Sequence, residues 1–213
     1  MKRVSLALAA LALSSTPADA AKLTLPPVDQ CSSQAGFAEF RQSLEIAVQR
    51  RNEKALLDLL APDVMVNFGG DSGRQAFARQ WGFSQKDQSP LWAELETILA
   101  LGCALHGEAA LIPSLAGQFN PEDDQDLFEK VVVISDKAEL RAGTEPGSKV
   151  LAKLAWNVVN SVEASGDVYM KVRLADGREG WLPADQLRSP LDYRAVIEKR
   201  DGQWLITAFV AGD

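Results

Sequence analysis

Apolar residues recur at helical spacing through the first half of the chain and alternate through the second. Phe37, Phe40, Leu44, Ala47 and Val48 share one face, opposite Glu39, Arg41, Glu45, Arg50 and Arg51, which predicts an amphipathic helix. Asn52 is placed to cap a second helix with Leu56, Leu59 and Leu60 on its buried face. Ala61-Pro62 ends it, because the residue before proline avoids the helical region. Val64, Val66 and Phe68 alternate with Asp63, Met65 and Asn67 as a short strand, and Gly69-Gly70-Asp71-Ser72-Gly73 reads as a turn. Phe77 and Trp81, four apart, mark another helical turn. Ser89-Pro90 opens a stronger helix, with serine as cap and proline at the first position. Leu91, Leu95, Ile98 and Leu99 line its face, and Gly102 ends it. Residues 104–119 are apolar without a clear period.

From Lys130 the pattern changes. Val131 to Ile134 is an apolar, β-branched run, and turn residues then recur at Gly143, Pro146-Gly147, Gly166-Asp167 and Asp176-Gly177. Short strands at that spacing predict a small sandwich or barrel. Tyr169, Lys171 and Arg173 alternate with Met170, Val172 and Leu174, so one face packs and the other is wet or lines a groove. Asp201-Gly202 between Tyr193–Lys199 and Trp204–Val210 predicts a β-hairpin. The expected fold class is α+β. An extended lead-in (21–34) precedes a helix-rich domain (35–120), an acidic linker (121–129), a small β-barrel (130–188) and the C-terminal hairpin (190–213). The hairpin has three berths open to it: the barrel, the front domain, or a bridge between them.

Residues 1–20 have another character. Lys2 and Arg3, the apolar run Val4–Leu13 and Ala18-Asp19-Ala20 follow the pattern of a secretory signal peptide cut after Ala20. The apolar run is too short to span a bilayer, and no other stretch is long enough. A periplasmic or secreted product without a membrane anchor is expected. Export gives meaning to the two cysteines, since Cys31 and Cys103 would pair in an oxidising compartment; two buried thiols are the competing state. The chain has 213 residues and a formal charge of −7, which makes nucleic acid a poor partner. One histidine and two cysteines exclude most His- and Cys-based metal sites, so no metal and no cofactor are expected.

The strand-rich block carries Leu140-Arg141, Pro146-Gly147, Val158-Val159, Tyr169 to Val172, Asp176-Gly177 and Gly180-Trp181-Leu182 in order. Over about residues 131–187 this resembles a bacterial SH3-like (SH3b) domain. The resemblance implies a small barrel with Trp181 as a packed aromatic, Gly180 permitting close backbone approach beside it. Grooves in such barrels are lined by aromatics, so Trp156, Tyr169 and Trp181 are the candidate ligand-binding residues. Trp156 stands where the family usually has glycine, and Tyr169 where it often has tryptophan. More weakly, two helices followed by Ala61-Pro62-Asp63-Val64 to Gly70 resemble the opening of nuclear-transport-factor-like domains. Asp201, Gly202, Trp204, Ile206 and Phe209 resemble their closing strands, which implies a front domain completed by the chain's last hairpin.

Catalytic sets are missing from the pattern. Gly70-Asp71-Ser72-Gly73 matches a serine-protease string, but the lone histidine, His106, follows it in a helical context, so a local turn is expected. His106 reads as a surface residue. Glu122 to Asp126 lacks the glycine and distal glutamate of a calcium loop. Asp63 and Asp71 read as solvated carboxylates. No catalytic residue is assigned. The expected function is that of an exported, non-enzymatic SH3-like protein binding cell-wall (peptidoglycan) peptide or an envelope protein. The alternative is a small-molecule binder or acid–base enzyme using a pocket in the front domain.

Overall fold

A computed structural model describes residues 23–83, 88–119, 127–165 and 168–212. The signal-peptide segment, the acidic run 121–126 and the Gly166-Asp167 turn lie outside the described residues. Helix α1 (Phe37–Gln49) buries the five residues its spacing selects. Helix α2 (Glu53–Asp58) is capped by Asn52, whose Oδ1 accepts the Ala55 N–H at 3.0 Å. Helices α3 (Arg74–Gln80) and α4 (Leu91–Ala100) follow. Ser89 Oγ accepts the Leu91 N–H at 3.3 Å, but Pro90 occupies the cap, so α4 starts one residue later than expected.

Strand β1 (Leu60–Met65) begins earlier than the alternation suggests and takes in Pro62. The unpatterned stretch folds as a hairpin of β2 (Ala104–His106) and β3 (Ala109–Ile112), followed by a 3₁₀ turn, Ser114–Gly117. In the strand-rich block, β4 (Lys130–Val133), β5 (Ala138–Arg141), β6 (Val150–Leu154), β7 (Val158–Ser165), β8 (Tyr169–Arg173), β9 (Glu179–Pro183) and β10 (Leu187–Arg188) follow one another. The chain ends in β11 (Arg194–Arg200) and β12 (Gln203–Val210). Asp201 (φ 51°) and Gly202 (φ 82°) supply the two positive φ values their tight turn requires.

These strands form two sheets. The first has the order β1-β12-β11-β3-β2, so the last hairpin lies in the front unit, parallel to β1 and antiparallel to β3. The expected helix-rich domain is therefore an α+β unit whose sheet draws on both ends of the described chain. Its helices cover one sheet face, and the layer between is filled with rings. Phe77, Trp81, Tyr193 and Phe209 stand 4.8–6.4 Å apart in successive pairs. Phe37 meets Trp204 edge-on at 5.2 Å, and the Trp204 indole N–H donates to Ala35 O.

The second sheet, antiparallel throughout, has the order β10-β4-β7-β8-β9-β5-β6, with a 3₁₀ turn (Ala184–Gln186) between β9 and β10. Its end strands, β10 and β6, do not pair, so it is an open sheet rather than the expected closed barrel. Val131, Val133, Leu140, Leu154, Val159, Val172 and Leu182 pack into a separate core. Gly180 serves a contact other than the one expected. A Cβ there would lie 2.7 Å from Arg141 O and 2.8 Å from Leu140 Cγ, so glycine permits β9 to approach β5. Trp181, expected as a core aromatic, is half-buried on the opposite face, because its neighbours Gly180 and Leu182 point inward.

Candidate functional site

The outer face of the second sheet carries a groove of about 420 Å³. Tyr169 from β8 and Trp181 and Pro183 from β9 line it, with Glu139 and Arg141 from β5 alongside. The Gly143–Gly147 loop, Gln186 and Lys137 complete the walls. Register explains the grouping. Arg141 and Lys171 both pair with Trp181, and Tyr169 pairs with Pro183, so these side chains fall on neighbouring rungs of one face. Arg141 is held by Glu139 and by Ser148 O, to which its Nη1 donates at 2.7 Å. Beyond Trp181, Glu179 accepts hydrogen bonds from Lys171 and Arg173, each at 2.8 Å. The Lys171 hydrogen bond, then that of Arg173, lowers the Glu179 carboxyl below its ordinary pKa. The groove thus offers two aromatic faces and balanced charge, a surface suited to an extended chain with apolar side groups.

Trp156, the third candidate, lies elsewhere. It has φ 59°, its carbonyl accepts the Leu25 N–H at 2.8 Å, and it shares a crevice with Leu25, Pro27, Leu101, Leu115 and Ile134. It holds the lead-in against the two units rather than lining the groove. Structure thus brings together two of the three candidates and adds Arg141, Glu139, Pro183 and Gln186. The alternation Glu139, Leu140, Arg141 was a readable signal for the first two.

A second cavity, of about 690 Å³, lies on the outer face of the first sheet, lined by His106, Glu108, Ala109, Leu111, Val196, Glu198, Lys199 and Arg200. Ala110, Ile112, Ala195 and Ile197 point to the opposite side, into the aromatic core. His106 is exposed. The Asp63 side chain is 68% exposed and pairs with Arg200 at 2.6 Å. Asp71 is exposed and accepts the Asn67 amide at 2.9 Å within the glycine turn. Cys31 and Cys103 form a disulfide, both cysteines fully buried, with Cα atoms 5.8 Å apart. Among the described residues, no helix is long and apolar enough to cross a membrane and no cluster of His, Cys, Asp or Glu has metal-site geometry.

No protein-family model matches the chain, and no curated protein matches it. Among solved structures it is similar to nuclear-transport-factor-like folds. An NTF2-like protein of unknown function from Shewanella oneidensis is 12% identical, with 83% of this chain and 96% of that one covered, at TM-score 0.30. A putative ketosteroid isomerase from Shewanella frigidimarina is 10% identical, with 84% and 96% covered, at TM-score 0.29. A cystatin-like-fold protein from Nostoc punctiforme is 10% identical, with 88% and 93% covered, at TM-score 0.30. Likeness at this distance supports neither a shared activity nor a shared ligand. These matches lend no support to the SH3-like resemblance.

Proposed function

We propose that this protein is an exported, non-enzymatic binding protein whose second sheet takes an extended peptide, from the cell wall or from an envelope protein. The observation that carries this reading is the groove, where Tyr169 and Trp181 stand on one face beside a glycine- and proline-rich loop. The disulfide supports an oxidising, non-cytoplasmic compartment. The test is retention on purified sacculi and on immobilised envelope extract. Wild-type protein is retained on one of them. Trp181→Ala with Tyr169→Ala loses at least about tenfold in affinity, as for a removed aromatic anchor, without a change in unfolding midpoint. A folded wild-type protein held by neither matrix ends the proposal.

The cavity beside His106 favours a second reading, a small-molecule binder or acid–base enzyme using the front unit. The cavity lies on the outer sheet face, so the ligand would bind there. Thermal-shift screening with small carboxylic acids and ketones, repeated on His106→Gln, tests it. A shift that the substitution abolishes favours this reading, and no shift removes it.

A further inference from the structure

Residues Leu23 to Cys31 run across both units. At one end Val158 N–H donates to Leu23 O at 2.9 Å, Leu25 N–H donates to Trp156 O at 2.8 Å, and Thr24 bridges Asn157 in the second unit. At the other, Cys103 N–H donates to Val28 O at 2.7 Å, Gln30 N–H donates to Cys103 O at 2.9 Å, and Cys31 is bonded to Cys103 in the first unit. Gln30 Oε1 also accepts the Leu105 N–H at 2.9 Å, and Val28 N–H donates to Ser114 Oγ at 3.2 Å. The fit is close, since a Cβ on Gly102 would lie 2.2 Å from Val28 O. Between these ends, Leu25 and Pro27 meet Trp156 and Ile134 of one unit and Leu101 and Leu115 of the other. The two cores are otherwise separate clusters, with Arg188 as a second tie, its Nη2 donating to Glu94 and to Tyr193 O, each at 2.6 Å.

We propose that this segment is a strap that holds the two units in one orientation, and that the Cys31–Cys103 bond is its redox-sensitive lock. A dithiol reductant opens the lock. One thiolate attacks a cysteine sulfur to give a mixed disulfide, and the reductant's second thiol then displaces the protein. Two electrons and two protons end on Cys31 and Cys103 as thiols, and the reductant closes its own disulfide. Both cysteines are fully buried, so attack waits on local opening of the strap. The strap thereby gates its own lock, and its release leaves the Arg188 contacts with Glu94 and Tyr193 O as the remaining side-chain tie named between the units.

The test uses the whole protein, oxidised or reduced with excess dithiothreitol, in small-angle X-ray scattering and calorimetry. Oxidised protein gives a compact profile and a single transition. Reduced protein gives a larger radius of gyration and two transitions, and keeps its near-ultraviolet circular dichroism. Leu25→Ser with Pro27→Ser, which loosens the strap and leaves the bond intact, speeds disulfide reduction at least about tenfold. An unchanged scattering profile on reduction overturns the proposal, as does wholesale loss of the aromatic signal. So does reduction of the strap variant at the wild-type rate.

Discussion

Gly180 shows what one atom does in this fold. With 2.7 Å from its missing Cβ to Arg141 O, the neighbour that must yield is backbone. Gly180→Ala is expected to cost about 1–3 kcal/mol, the range of overpacked positions, as seen in urea unfolding. It would also disturb the rung that places Arg141 beside Trp181. Trp204 is the matching case in the first unit. It packs edge-on to Phe37, bonds Ala35 O and carries Lys199 over its ring at 5.7 Å. Trp204→Ala is expected to cost about 3–5 kcal/mol, in line with large aromatic truncations. Neither partner was legible from the sequence. Residue order marks Gly180 as a close-approach glycine, and its close neighbour is β5 rather than an aromatic. Identity specifies the allowance a residue makes, and only packing names what uses it.

Local chemistry and element boundaries agree where the signal is short-range. The Asn52 cap, the apolar stripe of α1 and the Asp201-Gly202 turn stand where residue type places them, because each needs only neighbours within four positions. Strand β1 departs from its pattern because Leu60 pairs with Ile206, well over a hundred residues later. Strands β2 and β3 showed no period because each is only three or four residues long. At this scale the β8–β9 pair makes a pH prediction. Glu179 has its folded pKa lowered by Lys171 and Arg173. Its contribution is present above the unfolded carboxylate pKa and lost as pH falls through the lower folded value. Glu179→Gln therefore lowers stability at neutral pH and flattens the acid limb of the stability profile, measured by urea melts across pH. The opposite result, a steeper acid limb, would contradict the assignment.

Two cores, one strap and one disulfide define the whole molecule. Closing a separation of 72 residues restricts the unfolded chain by roughly 4 kcal/mol on the chain-entropy estimate. Cys31→Ser with Cys103→Ser is therefore expected to lower the first unit's transition by about 2–4 kcal/mol. The buried Arg188 beside Glu94 supplies a second check on how the units meet. Glu94→Gln leaves that guanidinium without its counter-ion and should destabilise the protein by about 1–3 kcal/mol, more than an exposed pair would.

Amino-acid order alone determined what depends on near neighbours: helices in front, short alternating strands behind, a tight final hairpin, an alternating run from Tyr169 to Leu174 with one packed face, and two cysteines suited to a bond. Tertiary structure alone decided that the last hairpin completes the first sheet and that the second sheet stays open. It also decided that Trp156 grips the lead-in while Trp181 faces a groove. Those outcomes rest on pairings between distant segments. Such pairings are chosen by which apolar faces and strand edges can be covered together, a condition that no local stretch of residues records.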